Sequence, residues 1–254
     1  MDEFLYRYIN FETLVGMIQE KALTFVLPEL WEDPYEGKPL LDFLIEKKNT
    51  YERIILTLIY QKTFGQCWTT LSESDAMWRI YSYNNRAVRI KVSKDKISKL
   101  KNIDIVPVTY SDEPFEASGD NKQTFIKLLS YKRLAFEHEK EVRLIHHYKF
   151  LSDDDLEKHI KAFMVISEHE QMVDLIENLF PGLEMEEQVR RICEMTNYGK
   201  YKQTVHKISF DHIADFIDGV MVHPQASDWY VDVVGEYCKI NSIPFEGKSS
   251  LYSI

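Results

Sequence analysis

Three cysteines in 254 residues, Cys67, Cys193 and Cys238, are too few and too scattered for a disulfide framework, and no pair has metal-ligand spacing. Glycine is scarce, with nine residues, and none builds a phosphate-cradling loop, a dinucleotide fingerprint or a nucleophile elbow. No stretch reaches the roughly 18 consecutive apolar residues of a membrane span. The N-terminus, Met1-Asp2-Glu3-Phe4, is acidic where an export signal is cationic. Positive charge is also short: 31 Lys and Arg face 41 Asp and Glu, and a formal net charge of −10 weighs against sequence-independent binding to a phosphate backbone. These absences point to a soluble cytoplasmic protein with no membrane partner and no bound metal, whose chemistry comes from side chains gathered by the fold.

What is present is a globular composition, 44% hydrophobic and 13% aromatic, in a chain long enough to bury a sizeable core. Residues 4–8 read as a strand, and Asn10 caps a helix carrying Leu14, Val15 and Ile18 at helical spacing. Residues 23–27 and 65–70 read as further strands; Ser74 or Asp75 then caps a helix through Met77, Trp78, Ile80 and Tyr81. Residues 87–92 alternate cleanly, 103–110 and 219–224 are strand candidates, and 39–48, 51–62, 122–136 and 227–239 have helical patterns. The expectation is one α+β domain over 1–254, with a mixed, largely antiparallel twisted sheet, flanking helices and an acidic helical insertion at about 151–205.

The stretch Phe136-Glu137-His138-Glu139-Lys140-Glu141-Val142-Arg143-Leu144-Ile145 reads as a strand with charge on both faces. At a period of two, Glu139, Glu141, Arg143 and Ile145 share one side, and Lys140, Val142 and Leu144 the other. Charges on a half-buried strand must be paired or must face a cleft. Glu139 or Glu141 could therefore pair with Arg143, or both could serve a polar site.

Other candidates are spread along the chain. Arg7 lies between Tyr6 and Tyr8, Thr69 and Thr70 end a strand, and Trp78 and Tyr81 are three apart on one helix. An arginine can grip a phosphate, an aromatic face can stack a heterocycle and a carboxylate can stabilise a developing cation, so together they suit a nucleotide ligand. The competing readings are a salt bridge for Arg7 and core packing for Trp78 and Tyr81. His146 and His147, being adjacent on a strand, point to opposite faces and do not suit one metal ion.

The succession Leu5-Tyr6-Arg7-Tyr8, Leu23-Thr24-Phe25, Trp31-Glu32-Asp33-Pro34-Tyr35-Glu36, Cys67-Trp68-Thr69, Met77-Trp78 to Tyr81, and Lys132 to Phe136-Glu137-His138-Glu139-Lys140-Glu141-Val142-Arg143 resembles the bacterial domain-of-unknown-function family 2971 over about residues 4–148. The ending Gly219-Val220-Met221-Val222-His223-Pro224 with Ser249-Ser250-Leu251 is similar to that family's usual close. That resemblance implies no activity. The opening strand, helix and Leu-Thr-Phe strand also resemble ADP-ribosyltransferase domains. By that resemblance Arg7 would hold NAD, Thr69 or Thr70 would supply the hydroxyl, Tyr81 the aromatic group and Glu141 or Glu139 the carboxylate, with Trp78 and Arg143 beside them. It implies cleavage of the nicotinamide–ribose bond of NAD, with a protein or nucleic-acid acceptor left open, in a toxin or phage-defence setting. The rivals are a non-catalytic nucleotide-binding or interaction module, and a metal-dependent nuclease built on Asp33, Glu36, Glu139 and Glu141.

Overall fold

Alternating aromatic and aliphatic residues make Phe4–Asn10 a strand, β1, whose Leu5 and Ile9 enter the core. Asn10 stops it by accepting a hydrogen bond from the Thr13 backbone N–H at 2.7 Å, an N-cap that starts helix α1 (Phe11–Glu20). The computed structural model describes residues 3–33, 35–36, 63–113, 115, 121–147 and 204–253. After α1 come β2 (Ala22–Val26), β3 (Thr63–Thr69), α2 (Asp75–Tyr81), β4 (Ala87–Ser93), α3 (Lys94–Ser98), β5 (Ile103–Pro107) and β6 (Thr109–Tyr110). The remaining elements are α4 (Asn121–Leu128), β7 (Tyr131–Lys132), β8 (Glu141–His147), β9 (Val205–Ser209), β10 (Gly219–Val222), α5 (Asp228–Ile240) and β11 (Phe245–Lys248).

The fold is α+β, and among the described residues the main sheet has nine strands in the order β11-β10-β4-β1-β3-β2-β9, with β8 and β5 continuing from β3. Every pairing in it is antiparallel except β10 with β11. Leu5, Ile90, Val220 and Trp68 on one face pack with α1 and α5 through Leu14, Met17 and Val234. Truncating one of these buried aliphatics to alanine costs about 2–5 kcal/mol. No helix among the described residues is long and apolar enough to cross a membrane.

One irregularity of the sheet positions the site. β3 pairs with β8 along its whole length, but on its other edge it meets β1 only at Tyr6↔Thr69 and β2 only at Val26↔Gly65. β1 meanwhile follows β4 from Phe4↔Ser93 to Asn10↔Ala87. The two halves of the sheet therefore part beyond Tyr6 and Thr69, and Gln66 secures the gap by donating to the Thr24 carbonyl at 2.9 Å and accepting from the Trp68 indole at 2.8 Å.

Two expectations are corrected. The helix expected over 122–136 ends at Leu128, and the chain turns through β7. The charged strand expected from Phe136 starts at Glu141, because Leu134–Glu139 winds into a 3-10 turn closed by Lys140 in the left-handed conformation (φ 43°). Thr70 N–H to the Lys140 carbonyl, 3.2 Å, holds that turn against β3. Glu139 is thus on a turn and not on the strand face of Glu141. The helical patterns at 39–48 and 51–62 and almost all of the 151–205 insertion lie outside the described residues.

Candidate functional site

Where β1 leaves β3, a cavity of about 420 Å³ opens, within the size range of small-molecule sites. β1 contributes Arg7 and Tyr8, β3 contributes Cys67 and Thr69, α2 contributes Ile80 and Tyr81, and Glu139 and Glu141 close the far side. Five of the sequence candidates, Arg7, Thr69, Tyr81, Glu139 and Glu141, thus converge. Trp78 and Arg143 do not line the cavity.

Arg7 is half-buried, and its guanidinium has no hydrogen bond or ion pair among the described residues. Burial pulls its pKa below the ordinary value, against the smaller opposing influence of Cys67 and Tyr81. An arginine remains a cation at neutral pH under such shifts. The salt bridge considered for it from sequence is not formed with the strand carboxylates. Arg7 is a cation presented to the cavity.

The carboxylates opposite are organised by Lys132 of β7. Its ammonium is 2.6 Å from Glu139 Oε2, 3.1 Å from Glu141 Oε2 and 3.3 Å from Glu36 Oε1. Arg143, wholly buried, donates to Glu141 Oε1 at 2.9 Å, to Glu36 Oε2 at 2.5 Å and to the Leu129 carbonyl at 2.7 Å, with its guanidinium 4.1 Å from the Trp31 ring. Among the described residues, three carboxylates, Glu36, Glu139 and Glu141, thus face two cations, Lys132 and Arg143.

The two glutamates are unequal. Both oxygens of Glu141 are engaged, Oε1 by Arg143 and Oε2 by Arg143 and Lys132. Burial alone would raise its pKa, but Arg143 and then Lys132 outweigh that and hold it down at about 2. Glu139 meets cations only through Oε2; its Oε1 has no partner among the described residues, and the residue lines the cavity. Burial raises Glu36 despite Arg143 and Lys132, whereas the carboxylates drive Lys132 upward against the burial that would lower it.

Thr69 serves this arrangement from below. Its hydroxyl donates to the Glu139 carbonyl at 2.6 Å and accepts from the Leu71 N–H at 3.0 Å, fixing the turn that carries Glu139. Tyr81 keeps 40% exposure at the rim; burial and then the Glu139 charge push its hydroxyl pKa up. Trp78, fully buried, meets Tyr8 edge-on at 4.7 Å and donates to Glu73 at 3.0 Å, so core packing accounts for it. Burial and the adjacent Glu141 push the Cys67 thiol well up, which leaves it a poor nucleophile.

A metal reading of Glu36, Glu139 and Glu141 does not fit this donor set, since the Lys132 ammonium occupies the point where they meet and Asp33 is turned to Arg133, at 3.1 Å. Among the described residues no group of three His, Cys, Asp or Glu is arranged for an ion. His146 is buried and stacks on His206, ring centroids 3.9 Å apart, and neither lines the cavity. Lys132 and Cys67 stood in the motifs that carry the family resemblance but were given no site role. Lys132 lay inside an apparent helix, although the surplus of acid around 137–141 called for a buried cation. Comparisons with family models, curated proteins and solved structures found no match for this chain.

Proposed function

We propose that the cavity binds NAD and that the protein breaks its nicotinamide–ribose bond, as an ADP-ribosyltransferase or glycohydrolase of the cytoplasm. The observation that carries this reading is Arg7, a guanidinium without an ionic partner among the described residues, in the same cavity as a carboxylate with a spare oxygen. Arg7 takes the pyrophosphate, and Tyr81 stacks on the nicotinamide ring. The bond's electron pair leaves with nicotinamide, which departs neutral, and the ribose is left as an oxocarbenium ion. Glu139 Oε1 faces that cation; water or an acceptor side chain then attacks the ribose carbon and gives up a proton. Glu141, whose oxygens are both occupied, keeps Lys132 and Arg143 in place. The likeness of the opening strand, helix and Leu-Thr-Phe strand to ADP-ribosyltransferase domains supports the same assignment.

A second reading, a binding module without catalysis, is favoured by the contact of Glu139 with Lys132, which neutralises part of the charge a cation would need. Titration calorimetry with NAD on the wild type and Arg7→Ala tests the part common to both: binding by the wild type, weakened at least tenfold in the variant. Equal affinities would remove Arg7 from the site.

A further inference from the structure

α2 forms one wall of the cavity through Met77, Ile80 and Tyr81, and this two-turn helix is anchored in the core by Met77 and Trp78, which pack with Tyr8 and Ala87. Among its residues only Met77 and Trp78 are buried. Polar contacts at its N-terminal end add to this packing. Tyr8 donates from its hydroxyl to the carbonyls of Leu71 and Ser72, at 3.3 and 3.2 Å, tying the approach to α2 to β1. Glu73, two residues before α2, accepts from the Trp78 indole at 3.0 Å and from the Ser249 hydroxyl at 3.0 Å on one oxygen, and from Arg89 at 3.4 Å on the other.

One of these partners, Ser249, lies in the segment after β11. Ser249 follows β11 and is held to β10 by its own N–H on the Val222 carbonyl at 2.9 Å. Three residues on, the Tyr252 hydroxyl donates to Asp75, the first residue of α2, which also pairs with Arg79 at 2.9 Å. Buried Arg89 adds a third tie, bridging Glu73 to Glu246 of β11, where contact with Glu246 is 2.5 Å. Gly219 lets that carboxylate pass, since a Cβ there would lie 2.7 Å from the Glu246 carboxyl carbon.

The segment making these ties is partly exposed, Leu251 at 38% and Tyr252 at 41%, and it is tied to α2 and its approach by a few hydrogen bonds, each worth about 1 kcal/mol net. Segments held in this way open locally at low cost. We infer that the C-terminal segment from Ser249 to Tyr252 is a clamp on α2, which positions Tyr81 at the cavity mouth, so that docking of the tail and occupancy of the cavity are coupled. Ser249 and Tyr252 are positioning residues, and neither lines the cavity. Coupling is reciprocal: if undocking weakens the ligand by some factor, the ligand must suppress undocking by the same factor. A purely structural tail would show no such reciprocity. The identity of the ligand rests on the reading above; the clamp itself does not.

The test is hydrogen exchange with mass spectrometry on the full chain, for wild type, the double variant Ser249→Ala/Tyr252→Phe, and Ser249→Thr as the hydroxyl-retaining control. The clamp requires α2 amides to exchange at least fivefold faster in the double variant than in wild type, with Ser249→Thr close to wild type and the core strands unchanged. It also requires NAD to bind the double variant at least threefold more weakly and to slow exchange of wild-type residues 249–253. Unchanged α2 exchange in the double variant would overturn the clamp. Faster α2 exchange with an unchanged NAD affinity would overturn its link to the site. Absence of NAD binding by wild type would instead defeat the NAD reading, and α2 exchange alone would then decide the clamp.

Discussion

Lys132 Nζ lies 2.6 Å from Glu139 Oε2, and this contact joins the cavity-lining Glu139 to the buried pairs that Glu141 and Glu36 make with Arg143. The same ammonium reaches Glu141 and Glu36, which are otherwise neutralised by Arg143, so Lys132 holds the carboxylate that, among the described residues of this cluster, keeps an oxygen without a partner.

Lys132→Met should keep the side chain's approximate volume while leaving carboxylates uncompensated in a buried setting. Removing one member of such a network costs about 3–5 kcal/mol. Urea denaturation at neutral pH should show that loss, and a variant within 1 kcal/mol of the wild type would mean that Lys132 is not the hub.

The pH dependence has a defined sign for Glu141. Its carboxyl is held at about 2 in the fold against an ordinary 4.5. A depressed folded pKa gives stability that is fully present above about 4.5 and lost as pH falls towards 2. The shift corresponds to about 3 kcal/mol. Glu141→Gln should therefore be less stable than wild type at pH 7 and approach it as the pH nears 2. A stability gap independent of pH would contradict the ion pairing. Glu36, raised by burial, acts in the opposite sense and shallows the acid limb of the whole protein.

Much of the architecture was legible because local signals and the fold agree. The alternation at β4, the Asn10 cap and the Ser74 cap, which accepts from Met77 N–H at 3.3 Å, are all formed. The parting of β1 from β3 was not legible, since strand pairing is a long-range choice that no local pattern encodes. Glu139 was misplaced onto the strand because alternation continues through Lys140, and a left-handed lysine leaves no mark in the sequence. Arg7 stood out by its setting between two tyrosines. Trp78 and Tyr81, though three apart, diverge: one is sealed beneath Tyr8 and His223 and the other is on the rim.

Gly65→Ala tests the packing beneath the cluster. A Cβ at this position would lie 2.4 Å from the Trp31 ring, which in turn covers Arg143. Overpacking of this kind costs about 1–3 kcal/mol. Thermal unfolding should register it, and an unchanged melting temperature would show that Trp31 shifts freely.

Thr69→Val removes the hydroxyl that holds the Glu139 carbonyl and leaves a buried acceptor unpaired, a loss of about 1–3 kcal/mol. Because the turn carrying Glu139 loosens, nicotinamide release should fall at least tenfold while NAD affinity changes less than threefold. Loss of affinity with full turnover of the bound fraction would point to a direct ligand contact for Thr69.

The most direct measurement is nicotinamide release from NAD by the wild type, Glu139→Gln and Glu141→Gln, with melting temperatures on the same preparations. The wild type should release nicotinamide. Glu139→Gln should keep its melting temperature within a few degrees and lose about a hundredfold or more in rate, since glutamine retains volume but removes the charge facing the ribosyl cation. Glu141→Gln should melt markedly lower. Release undiminished in Glu139→Gln, or none from a wild type that binds NAD, would contradict cleavage at this carboxylate.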